Sequence, residues 1–400
     1  MSPAPDGIFR ALRHRNFRIY LSGLVLSLIG TWMQNTAQAW LVYRLTKSEV
    51  LLGTTYFASH VPVLLLGPIA GLVADRFARH RIVTVTQTLF LLQASLLAWL
   101  TLSGRITVEI VILMAAVLGT INAFDVPARQ SMLPALVAPA DLLNAISLNS
   151  LSFQAARLVG PVLGGFAVAW WGEGICFLLN ALSFVAVLAG LRSLRIAPSA
   201  NARPHLPPLE SLREGWQYVS SSPHLKQLLL LSAAVNLSIA PLWVLLPVLA
   251  EGIFRRGAQG VGLLTAAVAV GAIAGMLVLA RRNGDQGLGR IILWSSAALG
   301  VVLCGFAVVP SFWFAWWLMT LVGFTYMSQN AATNSAVQAS INEEFRGRVM
   351  STYTMTVIGA MPLGALAAGW MAAQIGARET IFVGGLCALL SALIAKWRSA

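Results

Sequence analysis

Long apolar runs dominate the chain, separated by short polar or charged stretches. Runs of about 20 apolar residues match the hydrocarbon thickness of a bilayer. The first six cover 17–42, 49–74, 82–103, 107–127, 144–171 and 174–192. The next six cover 225–250, 260–280, 288–308, 312–336, 348–373 and 379–397. Backbone groups in lipid must find their partners within the protein, so each run predicts a helix. The alternation over about ten residues that marks a membrane β-strand is absent.

The polar stretches organise these runs. The longest connection goes from Leu194 to Lys226 and holds Pro198, Pro204, Pro207 and Pro208, which reads as a linker. Within it, Leu209 to Val219 predicts a short surface helix, with Trp216 and Tyr218 suited to the membrane interface. The chain therefore divides into an N-terminal six-helix bundle (1–194), a linker (195–224) and a C-terminal six-helix bundle (225–400). The halves echo each other. The fifth run carries Gly160-Pro161, Gly164-Gly165 and Trp170, and the eleventh carries Met361-Pro362, Gly364 and Gly369-Trp370. Parallel repeats of six spans are a known plan of membrane transporters.

Composition agrees with this pattern. Of 400 residues, 58% are hydrophobic and 10% charged, against roughly a quarter charged in a soluble domain. The net charge of +13 does not indicate nucleic acid, because the cations sit in short loops. Of the 27 Lys and Arg, twenty fall on one face of the expected topology and six on the other, with Arg157 inside a span. The positive-inside rule then places both termini and the linker in the cytoplasm, which requires an even number of spans. Basic residues precede the first run, and Ala37-Gln38-Ala39 imitates a signal-cleavage site. The length of that run and the similar runs after it favour a retained helix. Cys176, Cys304 and Cys387 lie in apolar runs without metal-ligand spacing, so they read as small buried apolar side chains. The expectation is an all-α polytopic membrane protein of twelve transmembrane helices with both termini cytoplasmic.

The loop after the second run reads Gly71-Leu-Val-Ala-Asp75-Arg76-Phe-Ala-Arg79-His80-Arg81. The arginines fix topology. Asp75 is suited to the N-terminus of a neighbouring helix, a contact that locks one conformation and breaks in another. Here the sequence resembles the major facilitator superfamily, whose loop 2–3 signature is Gly-x-x-x-Asp-Arg-x-x-Arg. Gly160-Pro161-Val-Leu-Gly164-Gly165 is similar to that superfamily's antiporter motif, found mostly in exporters. Trp40 to Thr46, Asp125-Val-Pro-Ala-Arg129 through Pro134, and Glu343 to Met350 resemble the branch of the enterobactin exporter and macrolide-efflux proteins. The fourth run reads Val117 to Asp125 without the arginine and Gln-Gly pair of many proton-coupled drug exporters.

The resemblance implies the major facilitator fold, in the bacterial plasma (inner) membrane as a multi-pass protein. It also implies a cavity lined by helices 1, 4, 7 and 10. These offer Gln34, Asn35 and Gln38, then Asn122 and Asp125, then Asn236 and Trp243, then Tyr326, Gln329, Asn330 and Thr333. Amides and aromatics in an apolar wall suit a bulky amphipathic molecule, and the same amides can equally bond helix to helix. Intramembrane charges are costly and mark function by default. Arg157 and Asp125 lie at roughly 20 and 25 Å from the same face at 1.5 Å per residue, close enough to pair for coupling, gating or simple helix locking. His60 precedes Pro62 in the second run and is either a proton carrier or hydrogen-bonded packing. Gly160, Pro161, Gly164 and Gly165 suit close helix approach and bending.

No ATP-binding loop, His-Glu-x-x-His or nucleophile-base constellation is present in the sequence, so no enzyme, cofactor or metal is expected. The expected function is a secondary active exporter of a hydrophobic or amphipathic small molecule, siderophore- or drug-like. It would work by alternating access as a monomer, with protons as the coupling ion. A lipid or lysolipid translocator on the same fold and a non-transporting membrane receptor remain the alternatives.

Overall fold

The computed structural model describes Gly7 and residues 9–194, 208–281 and 287–399. Thirteen α-helices run through them: α1 Arg15–Thr46, α2 Glu49–Arg76, α3 Arg79–Leu102, α4 Val108–Met132, α5 Leu142–Trp171, α6 Glu173–Arg192, α7 Pro208–Ser221, α8 Pro223–Gly252, α9 Gly257–Ala280, α10 Leu288–Val308, α11 Phe312–Ala339, α12 Arg346–Ile375 and α13 Ala377–Ser399. No strand occurs among the described residues. Ten of the helices contain a stretch long and apolar enough to cross a membrane. The other two long helices, α1 and α11, fall short of that apolarity. They carry Gln34, Asn35 and Gln38, and Gln329, Asn330 and Asn334.

Local chemistry sets the helix ends. Ser48 and Ser222 cap α2 and α8 by accepting hydrogen bonds from Leu51 N and Leu225 N. Gly172 and Gly376 end α5 and α12 at φ +82° and +98°, a region that L side chains enter only with strain. These two glycines occupy matching turns, α5 to α6 and α12 to α13, a stronger internal echo than the Gly-Pro runs. Pro127 lies inside α4, which nonetheless continues to Met132. The fourth apolar run therefore ends sooner than the helix does.

The packing repeats as well. In the first six helices, α1 packs on α5 and α6, α2 on α4, and α3 on α4 and α6. In the last six, α8 packs on α12 and α13, α9 on α11, and α10 on α11 and α13. Two seams join the sets, α2 with α12 and α5 with α9. The linker residues 195–207 lie outside the described residues. The short helix α7 packs along α12, where Glu214 pairs with Arg348 at 2.7 Å and Tyr218 stacks on Phe345.

The outer surface is apolar. Trp170, Trp171, Trp313, Trp317 and Trp370 are exposed near one end of the helices, and Trp294 and Trp397 near the other. Such belts suit the two interfaces of a bilayer. Cys176 is buried, whereas Cys387 is exposed on α13, so the expectation that all three thiols are core residues holds only in part. An apolar span exposes side chains to lipid as readily as it buries them.

Glycines make both seams close. A Cβ on Gly53 would lie 2.6 Å from the Ala365 carbonyl oxygen and 3.2 Å from Gly369 Cα. On the other seam, a Cβ on Gly165 would lie 2.6 Å from the Ala258 carbonyl oxygen, and Gly262 packs on Pro161 and Gly165. Further along α2, a Cβ on Gly67 or Gly71 would meet nothing within 4 Å. The α2 glycines thus meet α12 at the Gly53 end and have no neighbour toward the α2–α3 turn. Overpacking a tight contact costs about 1–3 kcal/mol. Gly53→Val should therefore lower the thermal midpoint of the purified protein and raise thiol labelling of a cysteine placed at Ala365. Unchanged labelling would show that the seam closes without this contact.

Candidate functional site

A cavity of about 380 Å³ lies between the two helix sets. That volume is in the range of small-molecule sites. Its wall comes from α1, α2, α4, α5, α8, α9 and α12. The α1 face contributes Trp32, Asn35 and Gln38, spaced so that one helical face carries them. The α2 face contributes Tyr56, Ser59 and His60. Asn122 comes from α4, Arg157 from α5, Trp243 and Pro247 from α8, and Met361 from α12. Pro247 has no N–H, so it leaves the Trp243 carbonyl without its helical donor.

Tyr56 and His60 stand one turn apart and stack at 4.1 Å between ring centroids, with 7° between planes. His60 Nδ1 sits 2.9 Å from the Tyr56 carbonyl oxygen and 2.7 Å from Ser59 Oγ. Arg157 lies between two indoles. Its guanidinium carbon is 5.6 Å from the Trp32 ring centroid and 5.1 Å from that of Trp243. These distances are those of cation–π contacts.

Arg157 does not pair with Asp125. The Asp125 carboxylate is fully buried and binds Arg129 Nε at 2.6 Å. It also accepts from Thr86 Oγ1 at 2.6 Å and Gln87 Nε2 at 2.9 Å on α3. The physical reason is the length of α4. Because the helix runs past Pro127, Arg129 stands one turn below Asp125 on the same face. The sequence pattern had assigned Arg129 to a loop. An i,i+4 pair on one helix forms with less chain ordering than a pair between helices.

The polar residues divide into two sets. Gln38, Asn122 and Trp243 line the cavity, together with His60 and Arg157. Gln34, Asn236, Tyr326, Gln329 and Asn330 lie outside its lining and bond within the protein. Gln34 donates to Gln93 Oε1 at 3.1 Å and accepts from Asn180 Nδ2 at 2.8 Å. Tyr326 Oη donates to Asn236 Oδ1 at 2.8 Å, joining α11 to α8. Gln329 donates to Thr333 Oγ1 at 3.0 Å, and Asn330 to the Tyr326 carbonyl at 3.1 Å. No α11 residue lines the cavity, whereas α2 supplies six, a contribution the family pattern did not indicate. The i,i+4 spacing of Tyr56 and His60 was the available signal for α2.

At the α2–α3 turn, Arg79 donates to the Ser131 carbonyl at 3.1 Å, capping the end of α4. Arg76 is exposed. The Asp75 side chain lies outside the described residues, so its expected contact with a neighbouring helix end is not described. Gly160 faces Trp32 and Ile29 of α1, and Gly164 faces Met33. Gly165 faces α9 and Pro161 faces Gly262 across the seam.

These features mark a transporter of the major facilitator type. Residues 7–400 match the transmembrane secretion effector family, and the chain belongs to it. It is 26% identical over 382 residues to the staphyloferrin A transporter of Staphylococcus aureus (strain NCTC 8325 / PS 47), covering 94% of each chain. It is 26% identical over 378 residues to the multidrug efflux pump Tap of Mycolicibacterium fortuitum, covering 92% of this chain and 91% of that one. It is 22% identical over 363 residues to the enterobactin exporter EntS of Shigella boydii serotype 4 (strain Sb227), covering 90% and 86%. A bacterial homolog of the human lysosomal transporter Spinster, solved in an inward-facing and occupied conformation, shares the fold. Its TM-score is 0.76 at 13% identity, covering 99% of this chain and 98% of that one.

Removing one member of a buried pair costs about 3–5 kcal/mol, because the other charge stays buried alone. Asp125→Asn and Arg129→Gln should each destabilise the protein, and the double variant should cost much less than their sum. A double-mutant cycle on thermal or denaturant unfolding measures this, and additive single effects would refute the pairing.

Proposed function

We propose that this protein is a secondary active exporter of hydrophobic or amphipathic small molecules in the bacterial plasma membrane. The observation that carries this reading is a cavity of small-molecule size between two similarly packed helix sets that meet along glycine seams. The two sets act as six-helix bundles that rock about the cavity. All twelve long helices cross the bilayer, including the polar α1 and α11, whose amides face protein rather than lipid. Both termini and the linker are cytoplasmic, as the distribution of Lys and Arg supports.

Export is supported by the named relatives, a siderophore transporter, a siderophore exporter and a multidrug efflux pump. Protons are the coupling ion in this reading, and the protein works as a monomer. The fully buried carboxylate of Asp125, tied to α3 and α4, is the residue we assign to coupling. Gln38, Asn122 and Trp243 contact the cargo.

Proteoliposomes with an imposed pH gradient test this, with a panel of fluorescent amphipathic dyes as cargo. Gradient-dependent flux is expected, and Trp243→Ala should slow it roughly tenfold through loss of aromatic contact. Flux that ignores every ion gradient, or no flux of any probe, would defeat the active-transport reading.

A further inference from the structure

The exporter reading leaves the chemistry of the cargo open, and one side chain narrows it. Among the described residues Arg157 is the one Lys or Arg on the cavity wall, and no described carboxylate lines it. Among the described residues no carboxylate lies within ion-pair distance of Arg157. Asp125, the acid nearest in depth, already holds one arginine and two neutral donors. The Trp32 and Trp243 rings stabilise the positive charge through their faces, but a ring face takes up no in-plane N–H donor. Arg157 Nε is buried without a hydrogen-bond partner, and so is Trp243 Nε1 beside it. The site therefore presents a positive charge that no acid answers to a cavity lined by apolar, aromatic and neutral polar side chains, with two donors buried unpaired beside it.

Position sharpens the point. Arg157 lies 14 residues before the end of α5 at Trp171, roughly 21 Å along the helix at 1.5 Å per residue. That is near the bilayer midplane, where an unpaired charge is costly. A planar carboxylate can meet a guanidinium with two parallel charge-assisted hydrogen bonds. The two indole contacts limit where the guanidinium can go, so less rotamer freedom remains to be lost on binding.

We propose that Arg157 is the anion-binding residue of the cavity, and that the exported molecule carries a carboxylate or similarly sized anionic group on an apolar or aromatic body. This rests on the exporter reading and adds a charge to it. The same cation disfavours positively charged cargo at this point in the cavity.

Dansylglycine and its neutral amide, dansylglycinamide, share one aromatic body and differ in the carboxylate. Binding of each to the purified full-length protein is followed by tryptophan-to-dansyl energy transfer. The acid should bind at least about tenfold tighter than the amide, the discrimination of one charge-assisted hydrogen bond. Arg157→Gln should bring the ratio close to one, and Arg157→Lys should keep part of the preference, with thermal unfolding confirming that both variants fold. A wild-type ratio of one or below overturns the proposal, whether or not the variants fold. So does a preference that survives in folded Arg157→Gln. The same probes in proteoliposomes separate the two readings. Flux of neutral or cationic dyes without acid preference leaves the exporter and removes the anion site. Acid-selective binding without flux of any probe leaves the anion site and removes the exporter.

Discussion

Close approach of backbones, without side chains between them, holds the two helix sets of this molecule together. The α2–α12 seam closes on Gly53 and Gly369, and the α5–α9 seam on Gly165 and Gly262. Lipid is as apolar as leucine, so burial alone gives helices no reason to associate there. Dispersion between closely fitted backbones supplies that reason, and it falls away steeply once a gap opens. Past Gly53, Gly67 and Gly71 of α2 meet no neighbour, whereas the α5–α9 seam continues from Gly165 as far as Gln154 and Met276.

The sequence made most of the architecture readable, because hydrophobic length is a direct record of membrane crossing. It also marked the α5 glycines and the linker helix. Pairing was harder to read. The run of apolar residues ends at Pro127, so Arg129 looked like a loop cation and Asp125 looked free for Arg157. Proline removes one helical bond but does not force a helix to stop when its neighbours hold it. One extra turn therefore changed both partners. The amides show the same limit. Gln34 and Gln38 have the same spacing in sequence, yet Gln34 is tied to α3 and α6 while Gln38 reaches the cavity. Residue type announces a need for a partner, and only packing decides which one meets it.

The two half-buried arginines illustrate different solutions to one problem. Arg129 has its charge neutralised by an acid one turn away, and the acid is in turn held by α3. That unit is self-contained and lies to one side of the cavity. Arg157 has aromatic faces in place of an acid. An aromatic face steadies a cation without cancelling its charge, so the cavity retains a field that a carboxylate partner would have extinguished. The difference separates a charge already answered within the protein from one that is available to something entering it.

The hydrogen bonds that join the two helix sets have a consequence for motion. Tyr56 Oη reaches Met361 Sδ at 3.8 Å across one seam, and Gln154 Nε2 reaches Met276 Sδ at 3.4 Å across the other. Thioether sulfur is a weak acceptor on a pliant side chain. Parting these helices forfeits little directional bonding, and the carbonyls that face the glycines keep their partners inside their own helices. The barrier to exchange between the two ends is then mainly the wetting of a dry backbone surface. Such a joint resembles two lubricated plates more than a latch: it sets the geometry of closure firmly while offering scant chemical resistance to being opened.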